Sequence, residues 1–118
     1  MRTIDYELLP CVRDENGTND TWRIRDVFAK MDEEANEFKA EVLSSFGMDT
    51  LCGNCDSMPL EQRNRILDEW ADMVIAGTSA VCAIIGASQG DMNSAIRAAN
   101  RRNRERGGCN VFCHVCIV

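Results

Sequence analysis

Two pairs of acidic residues carry the chemistry this sequence could do: Glu34 with Glu37, and Glu69 with Asp72. Each pair is spaced i, i+3 within a stretch that reads as helix, so its two carboxylates share a face. Glu41 continues the first row one turn further on. At about 100° per residue this row lies beside the apolar stripe of its helix, at the edge of a core. Carboxylates there are partly desolvated and repel one another. If the two helices pack antiparallel, all four acidic groups converge. A divalent cation is the simplest offset, because unpaired buried carboxylates are costly. A ligand set of hard oxygens with no His or Cys selects Mg²⁺, with Mn²⁺ as its substitute. Glu34, Glu37, Glu69 and Asp72 are therefore the expected metal ligands.

The elements that must position these groups are helices. The first is expected from near Thr21, with Asp20 or Thr21 as N-cap, to near Phe46-Gly47. Its apolar stripe is Phe28, Met31, Ala35, Phe38 and Val42, at helical spacing. The second starts at Pro59, a residue suited to a first helical turn, and runs to about Ala87 before Gly90. From Met73 to Gly90 it carries no charge, yet Gly77, Thr78, Ser79 and Gly86 make it unlike a membrane span. Such a helix is expected to be buried on every side. The third spans about Met92 to Arg106, with Asp91 as N-cap and Gly107-Gly108 as its stop. Strand signals are nearly absent. The expected fold is all-α, an antiparallel helical bundle whose core is completed by dimerisation, as a homodimer or a dimer of dimers. Residues 1–20 read as an arm, 21–108 as the helical domain, and 109–118 as a Cys-rich tail.

Composition narrows the class. With 118 residues, 45% of them hydrophobic, the chain is one domain able to bury a core. The net charge of −6 argues against a nucleic acid polymer as partner. The N-terminus offers no apolar signal segment, and no run approaches the ~20 apolar residues of a membrane span. A cytoplasmic location, with thiols reduced, is expected. The charge is uneven: an acidic body ends in an arginine cluster from Arg97 to Arg106. Carboxylates facing arginines suit a metal-chelated polyanion such as a nucleoside triphosphate.

Seven cysteines include two C-x-x-C pairs, Cys52 with Cys55 and Cys113 with Cys116. Two such pairs have the form of a four-thiolate zinc site, with Cys109 and His114 as further candidate ligands. The 57-residue gap between them is far wider than in a zinc ribbon. Reduced, buried thiols are the competing reading. A thiol redox catalyst is disfavoured, since no βαβ pattern surrounds either pair.

The two acidic pairs and their neighbours resemble a known family. Glu33-Glu34-Ala35-Asn36-Glu37 and Asp68-Glu69-Trp70-Ala71-Asp72-Met73-Val74 are similar to the two helix signatures of the MazG-like, all-α nucleoside triphosphate pyrophosphohydrolases. That superfamily includes dimeric dUTPases and phosphoribosyl-ATP pyrophosphohydrolases. Arg102-Asn103-Arg104-Glu105-Arg106-Gly107 resembles the basic element that closes the family's core. The resemblance covers about residues 21–108. It implies Mg²⁺-dependent cleavage between the α and β phosphates, giving a nucleoside monophosphate and pyrophosphate. It implies that a glutamate of the cluster, taken here as Glu37, activates the attacking water. It also implies that Arg102, Asn103 and Arg106 meet phosphate or ribose oxygens. The competing functional reading is a non-catalytic, zinc-stabilised helical interaction module that retains the fold.

Overall fold

The computed structural model describes residues 22–53 and 58–107, and three helices make up their regular structure. These are α1 (Ile24–Leu43), α2 (Leu60–Ile85) and α3 (Gln89–Glu105), with no strand among the described residues. The all-α expectation holds. The arm (1–20) and the tail (109–118), with Cys109, Cys113, His114 and Cys116, lie outside the described residues, as does Cys55 of the connector. No single helix among the described residues is long and apolar enough to cross a membrane.

Local chemistry sets each helix end. α1 starts later than expected, after Arg23, whose N–H donates to the Asp26 carboxylate at 2.8 Å. It also ends earlier, at Leu43, where the Ser44 hydroxyl donates to the Glu41 carbonyl at 2.6 Å. Pro59 stands immediately before α2, one position outside it, with an extended ψ of 142°. Gly86 stops α2 because it adopts φ +65°, a left-handed conformation open to glycine at little cost. Its N–H donates to the Cys82 carbonyl at 3.0 Å. α3 begins three residues before the expected position. Ser88, not Asp91, is the N-cap: its hydroxyl accepts from the Asp91 N–H at 3.1 Å, and the Asp91 carboxylate accepts from the Ser88 N–H at 2.9 Å. Two orphan donors are thereby satisfied reciprocally. These bonds also hold the Asp91 carboxyl below its ordinary pKa.

α1 and α2 pack antiparallel, and their register is read from three contacts. Val27 clusters with Ala80, Glu34 approaches Glu69, and Gln62 donates to the Glu41 carbonyl. Val27, Glu34 and Glu41 are seven residues apart, as are Gln62, Glu69 and Ala76. The seam is therefore a stack of layers at heptad spacing, as in other near-antiparallel helix pairs. One layer is apolar (Val27, Ala76 and Ala80, with Trp22 against it), one acidic and one amide. This corrects the expected stripe. The inward residue is Val27, 4% exposed, whereas Phe28 is 54% exposed and Met31 also faces outward. Ala35, Phe38 and Val42 are half-buried. The seam of Val27, Glu34 and Glu41 runs about one residue around the helix from the expected stripe.

The uncharged half of α2 is likewise not covered all round. Ala76, Thr78, Ser79 and Ala80 are buried, but Val81, Ile84 and Ile85 are exposed. Val27, the partner of Ala80, lies in the first turn of α1, so the last turns of α2 extend past its end. After Gly86 the chain direction changes by 119° into α3. α3 has no buried residue and makes little contact with α1 or α2.

The amide layer fixes the connector end of the pair. Gln62, 7% exposed, donates through Nε2 to the Glu41 carbonyl (3.1 Å) and to Ser44 Oγ (3.0 Å). Its Oε1 accepts from Arg65, whose Nε also reaches Glu41 Oε1 at 3.1 Å. Gln62→Leu keeps the volume and deletes every bond that Gln62 makes, leaving its partners short of one while the Arg65–Glu41 pair stays. It should cost about 1–3 kcal/mol in a denaturant melt. An unchanged midpoint would show that the amide layer contributes nothing to the pairing.

Candidate metal centre

Glu34 occupies the middle seam position of α1, and at 8% exposure it is among the most buried side chains of the described residues. Glu69 faces it from the equivalent position of α2. Glu37, one turn on from Glu34, completes a trio. One carboxylate oxygen from each lies within 4.8 Å of the others. Glu34 is buried, Glu69 half-buried and Glu37 exposed, so the cluster opens to solvent on one side.

Polar satisfaction is incomplete here. Oε1 of Glu34 accepts from Lys30 Nζ at 2.8 Å, but Oε2 of Glu34 and Oε2 of Glu69 are buried without a hydrogen-bond partner. Such oxygens are uncommon in native interiors and call for an ion or a proton. The charges are felt directly. The Glu37 carboxyl is pushed above its ordinary range, first by the charge of Glu34 and then by desolvation. The Glu69 carboxyl is pushed the same way, first by desolvation, then by Asp72 and Glu34. Lys30 holds its proton more tightly because of its hydrogen bond to Glu34. The donors are all carboxylate oxygens, and this fits a hard divalent cation such as Mg²⁺ or Mn²⁺.

The structure thus unites Glu34, Glu37 and Glu69, while Asp72 stays outside the trio, exposed on α2. Antiparallel pairing explains this. Glu37 lies three residues beyond Glu34 toward one end of the seam, and Asp72 three residues beyond Glu69 toward the other. At ~1.5 Å per residue that separates them by about 9 Å along the helix axes. Asp72 acts on the cluster through its charge on Glu69.

The arginine element is not gathered into the site of a single chain. Arg102 and Asn103 near the end of α3, and Arg106 just beyond it, are exposed. Among the described residues no ion pair joins an arginine of α3 to a carboxylate. Of the four expected zinc ligands, only Cys52 is described, and it is exposed. Two cations that the acidic motif left out prove to be part of the site and its border. Lys30 stands four residues before Glu34, a spacing that signals an ion pair on a helix. Arg65 pairs with Glu41 across the helices, and no local pattern announces it. Trp70 is exposed on α2 beside the cluster residue Glu69.

The chain was compared with protein-family models, curated proteins and solved structures, and none of them matches it.

The raised carboxyls set a pH dependence. Without divalent cation, folded Glu37 and Glu69 bind protons more tightly than they do in the unfolded chain. Their contribution to stability is therefore complete below the ordinary value of 4.5 and is lost as pH rises through the raised folded values. In EDTA, Tm should rise as pH is lowered toward 4.5, and saturating Mg²⁺ should flatten that rise. Asp91 opposes the trend only at lower pH, since its depressed carboxyl loses its contribution as pH falls below 3.8. A Tm in EDTA that falls steadily as pH is lowered toward 4.5 would contradict the carboxylate cluster.

Proposed function

We propose that the chain is a Mg²⁺-dependent nucleotide pyrophosphohydrolase, converting a (d)NTP and water to a nucleoside monophosphate and pyrophosphate. The observation that carries this reading is the trio of Glu34, Glu37 and Glu69 with two buried, unpartnered oxygens. The likeness of both helix signatures to the MazG-like enzymes supports the choice of reaction. A cation held by the trio would supply charge neutralisation for the triphosphate.

The burial gradient divides the work among the carboxylates. Glu34 and Glu69, anchored in the seam, hold their oxygens in fixed positions. Glu37, on the solvent side of the trio, is assigned the proton of the water that attacks the α-phosphorus. The bond from that phosphorus to the bridging oxygen then breaks, and pyrophosphate leaves. Arg102, Asn103 and Arg106 are assigned to the phosphates, and an assembly of chains is the means of bringing α3 to a carboxylate cluster.

A panel of (d)NTPs with Mg²⁺ tests the reaction, with pyrophosphate rather than orthophosphate as the expected product. Glu34→Gln, Glu37→Gln and Glu69→Gln should each reduce turnover at least tenfold. Asp72→Asn, outside the trio, should cost less. Release of orthophosphate, or near-wild-type rates in two of the three Gln variants, would reject the assignment. Bound zinc with no turnover would favour the interaction-module reading.

We also propose that the chain works as a homodimer or a dimer of dimers. Leu67, Trp70, Val81 and Ile84 follow a 3-and-4 spacing along α2 through the half-buried Val74 and Gly77, and they are exposed. Ile24, Phe28 and Met31 form a second exposed apolar row on α1. Scattered apolar residues are ordinary on a surface, but continuous rows on two helices mark a packing face. Sedimentation at micromolar concentration should show no stable monomer, and Ile84→Glu should dissociate the assembly. A monomeric wild-type chain with full turnover would refute this part.

A further inference from the structure

Among the described residues, Lys30 is the cation that pairs with the acidic trio. Its Nζ sits 2.8 Å from Glu34 Oε1 and 3.8 Å from Glu33 Oε1. The pairing is asymmetric: the lysine side chain is 38% exposed, whereas that of Glu34 is 10% exposed. A single ammonium covers one oxygen of Glu34 and leaves the second oxygen, and that of Glu69, bare. Lys30 is thus a partial counter-ion on a flexible stem, set against a ligand that burial holds in place. A divalent ion bound by Glu34 would stand within a few ångströms of the ammonium, and the two cations repel each other. Glu34 is anchored in the seam, whereas the half-exposed lysine can swing into solvent.

We propose that Lys30 is a built-in placeholder, neutralising Glu34 in the cation-free chain and displaced when a divalent cation binds the trio. The inference rests on the reading of the trio as a cation site. Its thermodynamic signature is distinctive. The ammonium stabilises the cation-free state and not the bound one, so removing it weakens only the former. By linkage, cation affinity rises by the same factor.

Mn²⁺ alone is the probe, titrated by electron paramagnetic resonance into the full chain and into Lys30→Met, Lys30→Gln and Lys30→Arg. Thermal melts are run in EDTA and in saturating Mn²⁺, with far-UV circular dichroism to confirm folding. Lys30→Met and Lys30→Gln should bind Mn²⁺ about tenfold tighter, melt lower in EDTA, and melt as wild type in Mn²⁺. Lys30→Arg should stay within about threefold of wild type, since it keeps the charge. Suppose instead that wild type binds Mn²⁺ while the neutral variants bind it equally or more weakly. Lys30 would then orient Glu34 rather than hold its place, and the placeholder would be refuted with the cation site intact. Absence of Mn²⁺ binding in every form would overturn the cation site and the placeholder together. Should the neutral variants not fold, the Lys30 ammonium is followed by NMR in the wild-type chain as Mg²⁺ is titrated, and an ammonium that keeps its Glu34 pair with the site saturated would refute the placeholder.

Discussion

A buried carboxylate facing another carboxylate across a helix seam is the constraint on which the rest of this structure depends. Glu34 and Glu69 occupy central seam positions, where apolar side chains would pack with far less strain. Their repulsion does not pull α1 and α2 apart, because Val27 with Ala80, against Trp22, grips one end and the Gln62 amide grips the other. Lys30 relieves part of the charge from the open side. The arrangement gives up packing at the centre of the seam and holds carboxylate oxygens in one place.

The same constraint accounts for the thinness of the core. Of the three seam layers only one is apolar, and its residues are small. Hydrophobic stabilisation scales with apolar area removed from water, and this pair of helices removes little of it. The large apolar side chains of the described residues lie mainly elsewhere, among them Phe28, Leu67, Trp70, Ile84 and Ile85. A chain whose seam is devoted to carboxylates leaves its larger side chains to pack against other surfaces. The proposed assembly and the proposed cation site are in this sense two results of one design.

The acidic pairs, the helical class and the boundaries near Pro59 and Gly107 were legible in the sequence because each is a local signal. Glu34 and Glu37 share a face whatever else the chain does. Rotation about the helix axis was harder to read. Val27 and Phe28 are both apolar, and choosing between them requires knowing which residues of α2 lie opposite. The exclusion of Asp72 was hidden for the same reason, since it follows from antiparallel register and not from spacing. Asp91 was recognised as part of a helix start but set three residues too far along. Ser88 and Asp91 both cap, and only the geometry shows which one stands outside the helix. The Arg65–Glu41 bridge joins residues 24 apart and had no local pattern to reveal it.

α3 has capping bonds at its start but almost no packing against the other helices. A 17-residue helix of this kind is marginal in water without tertiary support. Amide hydrogens in α3 are therefore expected to exchange with solvent through local opening, long before those in the α1–α2 seam. The arginines are then carried on the least protected part of the described chain, and in the proposed reading binding a triphosphate would require ordering the helix that meets it. That ordering costs entropy, which weakens binding, but it also quickens release of whatever the arginines hold.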